Sequence, residues 1–291
     1  MPCSGQAGGW RCDVGGVTGS HDIHDLNAEA WNQTGDWYRE RLPHTADRLA
    51  QGGVTLQSTE LKLLSRLGPL EAWCERAVHL QCAAGFDTLS LLNLGVHEVV
   101  GIDIADELIE TARGLAAQLD AAADFVVSDV LDTPEELAGT ADLVFTGKGA
   151  LHWMFDLRGW ARTVRRLLRP GGWLVLYDFH PMMWLFASGS ASMTPSGVSY
   201  FAPVISYHEW PTNHVGDLDL PDGEQLLPKK LRPWPPSAVM QALLDQGLRI
   251  GAFGEYPDSV NGPWAAYPQW SDADRRKVAT TYSIMAQAVE S

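Results

Sequence analysis

The chain has 291 residues with 36 acidic and 21 basic side chains, which gives a formal charge of −15. A chain this acidic repels phosphate backbones, so nucleic acid is not expected as a partner. No apolar run approaches the ~20 residues of a membrane helix, so a membrane is not expected as a partner either. The N-terminus shows neither the basic nor the apolar region of a signal peptide, which favours a cytoplasmic protein with reduced cysteines.

The first 25 residues are rich in Gly, Ser and His and show no apolar periodicity. This composition predicts a flexible tail over residues 1–25. His21 and His24 could bind a metal together with neighbouring aspartates, but a solvated tail is the favoured interpretation, and no metal site is expected.

Residues 26–75 are predicted to form an N-terminal helical lid. Apolar residues at helical spacing indicate one helix over 26–49, interrupted at Pro43, and a second over 56–67.

From residue 76 onward, short β-branched runs alternate with helical segments, which is typical of βαβ units. The sequence therefore predicts an α/β fold with a Rossmann-like, doubly wound, seven-stranded and mostly parallel sheet within residues 76–291. The proline-rich stretch at about 181–236 breaks this rhythm after strand 5, and it is interpreted as a loop-rich insertion that covers the substrate. Strands are predicted over 77–81, 97–103, 124–129, 141–147, 171–179, 248–253 and 282–289.

The loop after the first strand, residues 81–88, contains a single glycine, Gly85. A dinucleotide site prefers GxGxxG, so NAD and FAD are disfavoured. Asp103 ends the second strand, where a carboxylate can accept hydrogen bonds from ribose hydroxyls, and Asp129 ends the third, where it can reach an adenine amino group. This order and spacing favour S-adenosylmethionine.

Four segments carry a resemblance to a known family. They are similar to a bacterial branch of the class I S-adenosylmethionine-dependent methyltransferases, whose first motif reads LHLQCxxGxDTLSLA. The resemblance covers roughly residues 26–185 and, more faintly, 234–291. The matching segments are VHLQCAAGFDTLSLL (78–92), GIDIADELIETAR (101–113), the run from Gly149 to Gly172, and YDFHP (177–181).

The resemblance implies twelve cofactor-binding residues. Those expected beside the methionine part of the cofactor are Gln81, Cys82, Gly85, Gly147, Lys148 and Gly149. Those expected at the ribose and adenine are Asp103, Ile104, Asp129 and Val130. Trp31 and Tyr38 are expected to close over the cofactor. Gln81 departs from most class I members, which carry an acidic residue there, and residues 234–239 lack the WxHSLGE of the branch.

Catalytic candidates are harder to single out. An amine acceptor needs only a neutral lone pair, whereas a hydroxyl gains from a general base, for which His180 and His152 are the candidates. For each, a structural histidine is the alternative. His208, Glu209 and His214 could form a further cluster, but a solvated loop is favoured there.

These observations predict an enzyme that transfers a methyl group from S-adenosylmethionine to a small-molecule acceptor, such as a secondary metabolite with an aromatic or bulky group. The acceptor atom is N or O, with N favoured because no general base is compelling. The alternatives are an NAD-dependent oxidoreductase and a non-catalytic S-adenosylmethionine-binding regulatory protein. A monomer or homodimer is expected.

Overall fold

Three helices precede the sheet: α1 (Ser20–Asn32), α2 (Gly35–Ala50) and α3 (Ser58–Ser65). The prediction of a tail up to residue 25 is wrong at its end, because α1 begins at Ser20 and buries Ile23 and His24. The remainder of that tail lies outside the described residues. The computed structural model describes residues 19–187, 189–207, 210, 218, 220, 224–257, 267 and 269–289.

The predicted interruption at Pro43 is also wrong. The first two helices separate at Gln33 and Thr34, and Pro43 lies inside α2. A proline in a helix interior disfavours the helix by ~3 kcal/mol relative to alanine. Burial of Ala46 and Leu49 against the apolar side chains of the following domain compensates for this penalty.

Seven strands form one sheet in the spatial order β3-β2-β1-β4-β5-β9-β8, in which β1 to β5 are parallel and β9 is antiparallel to both of its neighbours. This arrangement confirms the predicted Rossmann-like, mostly parallel sheet. The strands of the described residues are β1 (Arg76–Leu80), β2 (Glu98–Asp103), β3 (Ala123–Val127), β4 (Ala141–Gly147), β5 (Leu168–Phe179), β6 (Ile205–Tyr207), β7 (Lys229–Leu231), β8 (Leu248–Pro257) and β9 (Ala279–Ala288).

Helices cover both faces of the sheet, because successive side chains of each strand point to opposite faces. In β4, Val144 packs in the cluster around Trp160, whereas Phe145 packs with Leu63 and Leu91 on the opposite face. The remaining helices are α4 (Phe86–Asn93), α5 (Asp106–Gln118), α6 (Leu157–Leu167), α7 (Pro236–Asp245) and α8 (Asp272–Arg275).

The stretch after β5 contains regular structure that the sequence did not predict. Strands β6 and β7 pair as an antiparallel ribbon, and the ribbon is tied to α1 through Asn27, whose side-chain amide exchanges two hydrogen bonds with the backbone of Lys230 at 2.8 and 2.9 Å. Part of the insertion therefore lies directly on the first helix. Among the described residues, no helix is long and apolar enough to cross a membrane.

Candidate active site

A cavity of about 470 Å³ lies at the carboxyl ends of β3, β2, β1 and β4. Helices α1 and α2 form its cover. Four adjacent parallel strands thus contribute their terminal loops to one wall, which is where open α/β sheets bind ligands. Of the predicted cofactor residues, eleven line the cavity: Trp31, Tyr38, Gln81, Cys82, Asp103, Ile104, Asp129, Val130, Gly147, Lys148 and Gly149.

Gly85 is the exception among the predicted cofactor residues. It is not on the cavity wall but precedes α4 in a left-handed conformation, with φ of +73°. A Cβ at this position would lie 2.6 Å from the ring of Phe125, so the glycine lets α4 approach β3 closely. Its contribution to the site is therefore to shape the loop.

The carboxylate of Asp103 closes the turn after β1. It accepts hydrogen bonds from the backbone N–H groups of Ala83 at 2.8 Å and Ala105 at 3.0 Å. Burial raises the pKa of Asp103 in spite of these bonds, since the described residues supply it with backbone donors and no cation. Further hydroxyl donors from a ligand would stabilise its ionised form.

Asp129 is bonded to α1. Nδ1 of the buried His24 lies 2.6 Å from Oδ2 of Asp129, and the Phe155 N–H donates to Nε2 of the same ring at 3.1 Å. A backbone N–H can only donate, so the proton of the imidazole is on Nδ1 and is donated to the carboxylate. Burial would raise the pKa of Asp129, but the hydrogen bonds from His24 and Leu131 outweigh it and hold this pKa below its usual value.

Lys148 lies in a buried charge cluster after β4. Its Nζ is 2.7 Å from Oδ2 of Asp87 and 3.3 Å from Oε2 of Glu60, a side chain with no exposed surface. Burial alone would lower the pKa of Lys148, but the two carboxylates hold it above its ordinary value. Burial raises the pKa of Glu60 to about 7. The predicted contact between Lys148 and the cofactor would therefore compete with the ion pairs that Lys148 forms with Asp87 and Glu60.

Gln81 joins the loops after β1 and β4, because its Nε2 donates to the carbonyl of Ala150 at 2.7 Å. Its Oε1 is buried and has no hydrogen-bond partner among the described residues. A buried acceptor without a donor is unfavourable, so this atom fits an ammonium or hydroxyl group of a bound ligand. His79, also on the wall, is paired with Thr88 at 2.8 Å, and burial lowers its pKa to about 4.

Aromatic rings from α1, α2 and the segments after β1 and β4 also line the cavity. The ring centroid of Trp31 lies 5.5 Å from that of Trp153 and 4.7 Å from that of Trp210. Tyr38 packs edge-on against Phe86 at 5.7 Å, and burial raises its pKa. The cavity is therefore lined by both polar groups and aromatic rings, a combination typical of sites for small molecules.

Neither predicted catalytic histidine lies on the cavity wall. His180 is buried in the turn after β5, where its Nδ1 accepts from the Met182 N–H at 3.1 Å. Its Nε2 therefore carries the proton and donates it to Glu255 at 3.0 Å. His152 is buried against Phe179, with the two rings nearly parallel and 6.0 Å apart. The contacts of both histidines fit the alternative interpretation, in which each has a structural role.

Sequence reasoning did not assign several residues of the wall. His24 was included in the predicted tail, although Ile23, His24, Asn27 and Ala30 share one buried helix face. Asp87 could have been assigned from the sequence, because it is an acidic residue inside the mostly apolar motif of residues 78–92. The other unassigned residues of the wall that carry polar or aromatic groups are Asn27, Trp37, Arg41, His44, Thr45, Thr55, His79, Phe86, Ser128 and Trp153.

Two expectations concern metal and thiol chemistry. His208, Glu209 and His214 lie outside the described residues. Within the described ranges, no group of three His, Cys, Asp or Glu residues is placed to hold a metal ion. Cys82 is a free thiol on the cavity wall, and burial raises its pKa well above the ordinary value, so it stays protonated and unreactive.

The comparisons with known proteins agree with this geometry. Residues 77–172 match a methyltransferase domain family. The chain is 27% identical over 226 residues to the ubiquinone biosynthesis O-methyltransferase of Xanthomonas axonopodis pv. citri (strain 306), covering 78% of this chain and 79% of that protein. It is 32% identical over 131 residues to the 27-O-demethylrifamycin SV methyltransferase of Amycolatopsis mediterranei (strain S699), covering 43% and 47%. The fold is similar to an S-adenosylmethionine dependent methyltransferase from Mesorhizobium loti, with a TM-score of 0.52 and 20% identity over 79% of this chain and 98% of that chain.

Proposed function

We propose that this chain is a class I S-adenosylmethionine-dependent methyltransferase that acts on small molecules, and that its acceptor binds against the Trp31 and Trp153 rings of the cavity. The observation that carries the proposal is that one cavity is lined both by polar groups at the ends of four strands and by the adjacent rings of Trp31 and Trp153. An aromatic or otherwise bulky acceptor fits such a wall.

The strand ends fit S-adenosylmethionine. The buried carboxylate of Asp103 would accept from the ribose hydroxyls, with Ile104 beside it, and Asp129 and Val130 would face the adenine. The unpartnered Oε1 of Gln81 would accept from the ammonium of the methionine part. The remaining residues proposed at this end are Cys82, Gly147, Lys148 and Gly149, with Trp31 and Tyr38 covering the cofactor.

When bound, the cofactor supplies an electrophilic methyl group on a sulfonium, and the protein supplies alignment and exclusion of water. Trp31 and Trp153 exclude water from the acceptor side. His24 is not free to act as a base, because both of its ring nitrogens are bonded, to Asp129 and to the Phe155 N–H. The lowered pKa of His79 keeps that ring neutral and makes it a weak base.

The acceptor atom is proposed to be oxygen. Both curated relatives carry names that refer to oxygen, as an O-methyltransferase and as a 27-O-demethylrifamycin SV methyltransferase. A phenol-type hydroxyl of low pKa needs little help from a base, which suits a cavity whose buried histidines are paired. An amine acceptor is the second candidate, since it needs only a neutral lone pair.

The direct test is a transfer assay with cofactor whose methyl group is deuterated, run against matched sets of phenols, catechols and aromatic amines and read by mass spectrometry. The expected result is a labelled methyl group on a phenolic oxygen. Trp153→Ala should raise the KM of the acceptor and leave cofactor affinity within about twofold, because Trp153 belongs to the acceptor side. Labelling of amines alone would overturn the oxygen assignment, and cofactor binding without any transfer would support the regulatory alternative.

A further inference from the structure

Asp178 is a buried carboxylate that does not line the cavity. It lies near the end of β5 with 1% of its surface exposed. Its Oδ1 accepts from the N–H of Gly149 at 2.5 Å and of Phe179 at 2.6 Å, and its Oδ2 accepts from the N–H of Leu151 at 2.8 Å. These three hydrogen bonds come from backbone donors of its own strand and of the loop after β4.

That loop is held in an unusual backbone conformation. Lys148 and Gly149 both have positive φ, of +57° and +94°. A Cβ on Gly149 would lie 2.8 Å from both the His152 and the Phe179 rings, so the backbone is packed tightly between them. Positive φ is unfavourable for a lysine, so the surrounding contacts must hold this conformation.

The same loop reaches both sides of the cavity. Gly149 and Ala150 line it, the Ala150 carbonyl holds Gln81, and the short helix from Leu151 to Trp153 presents the Trp153 ring. A shift of this segment would move the cofactor side and the acceptor side of the cavity relative to each other.

We propose that Asp178 is a positioning residue for methyl transfer: by accepting the N–H groups of Gly149 and Leu151, it fixes the distance between the cofactor side and the Trp153 wall. The inference rests on the proposed function. Burial raises the pKa of Asp178 to about 6, which shows that the ionised form is costly in this environment. The folded chain binds this proton more tightly than the unfolded chain, so the contribution of Asp178 to stability is lost as the pH rises through about 6. The fold therefore keeps a charge that opposes its stability and orders a loop of the site.

Asp178→Asn tests the role, because the amide keeps the size but turns N–H donors toward backbone N–H groups. Asp142→Asn is the control: Asp142 is also 1% exposed and also accepts a backbone N–H, from Arg76. It differs in that it is paired with Arg169 and lies near the start of β4, at the end of the strands away from the cavity. Asp178→Asn should lower kcat by ~10–100-fold, since misplacement of reacting groups by about 1 Å has effects of that size. The affinity for S-adenosylhomocysteine should fall by less than kcat does, because its proposed adenosine contacts lie at the ends of β2 and β3, away from this loop.

The pH profile of the wild type provides a second readout that needs no variant. Protonation of Asp178 replaces an acceptor with an O–H donor, so kcat should fall below pH about 6, and this acidic limb should be absent from Asp178→Asn. An acidic limb caused by His180, whose pKa burial lowers against the opposing effect of Glu255, would persist in both proteins. The titratable groups around Asp178 are Tyr282 opposite it on β9, Tyr177 before it, His180 after it, and His152 and Lys148 in the loop.

The outcomes separate the two proposals. If the wild type neither binds S-adenosylhomocysteine nor transfers methyl groups, the proposed function itself is wrong, whatever the behaviour of the Asp178 variant. If the wild type is active and Asp178→Asn keeps kcat within about twofold, the positioning role is wrong. It is equally wrong if Asp178→Asn and Asp142→Asn lose kcat in parallel with melting temperature, or if an acidic limb in the wild-type kcat persists in Asp178→Asn.

Discussion

The imidazole of His24 donates a hydrogen bond of 2.6 Å to the carboxylate of Asp129, and so fastens the first helix to the end of β3. Asp129 also accepts from the Leu131 N–H, and the Phe155 N–H donates to the other nitrogen of His24. Two loops of the sheet and the N-terminal helix therefore meet at one buried ring. The proposed adenine site lies at this junction.

His24→Ala is expected to loosen α1. Loss of a buried hydrogen bond to a carboxylate removes ~1.5–3 kcal/mol, most of it from the attachment of this helix. Hydrogen exchange of residues 20–32 should become faster, and the slowing of exchange expected over residues 20–50 on addition of S-adenosylhomocysteine should diminish. His21→Ala is the matched control, because His21 is 56% exposed and 3.4 Å from the same carboxylate. Equal exchange in His24→Ala and the wild type would contradict the attachment.

Lys148→Met should strongly destabilise the fold. It leaves the carboxylates of Asp87 and Glu60 buried beside each other without their cation, and breaking a buried ion pair in this way costs about 3–5 kcal/mol. Adding Glu60→Gln should restore part of the loss, since it removes one of the two charges. Urea unfolding of the two single variants and the double variant measures this coupling, and strictly additive losses would show that the three groups do not act as a cluster.

The pH dependence of stability should carry the signature of Glu60. Its pKa is raised from 4.5 to about 7 by burial, so the folded chain retains a proton that the unfolded chain releases. The stabilising contribution of Glu60 is therefore complete below pH about 4.5 and is lost as the pH rises through about 7. Glu60→Gln should flatten the dependence of unfolding free energy on pH within that window. A slope identical to that of the wild type would mean that Glu60 is ionised throughout.

His180→Asn should lower the melting temperature and leave turnover nearly unchanged. Both ring nitrogens of His180 are engaged in the turn, with Met182 and with Glu255, and the ring is not on the cavity wall. The free energy of unfolding should fall by ~1–3 kcal/mol through loss of these bonds. Thermal unfolding and steady-state kinetics decide the matter. A fall in kcat of ~10²-fold at an unchanged melting temperature would instead show that His180 acts as a general base.

The strand ends of the site could be predicted from sequence because parallel strands covered on both faces are continuous apolar runs with clear limits. Asp103 and Gly147 each end such a run, and the structure ends β2 and β4 at these residues. The start of α1, residues 20–25, was missed because the buried face of this helix includes two polar residues, His24 and Asn27, whose partners lie more than 100 positions away. A search for apolar residues at helical spacing does not detect a buried helix face that contains polar residues.

Two further misses have different causes. The β6–β7 ribbon consists of two three-residue strands separated by more than 20 residues, and pairing at such a separation leaves no local signal. His152 was a candidate base because of its imidazole, with a structural histidine as the alternative, whereas Trp153 was not assigned to the site. The short helix after β4 instead buries His152 against Phe179 and leaves Trp153 on the cavity wall.

Calorimetric titration of S-adenosylhomocysteine into the wild type, Asp103→Ala and Asp124→Ala tests the central claim most directly. The account predicts one site in the wild type and a loss of at least about tenfold in affinity for Asp103→Ala, because each hydrogen bond to a carboxylate contributes ~1.5–3 kcal/mol. Asp124→Ala, an exposed carboxylate on β3, should bind as the wild type does. Wild-type affinity in Asp103→Ala, or binding of NAD in place of S-adenosylhomocysteine, would contradict the account.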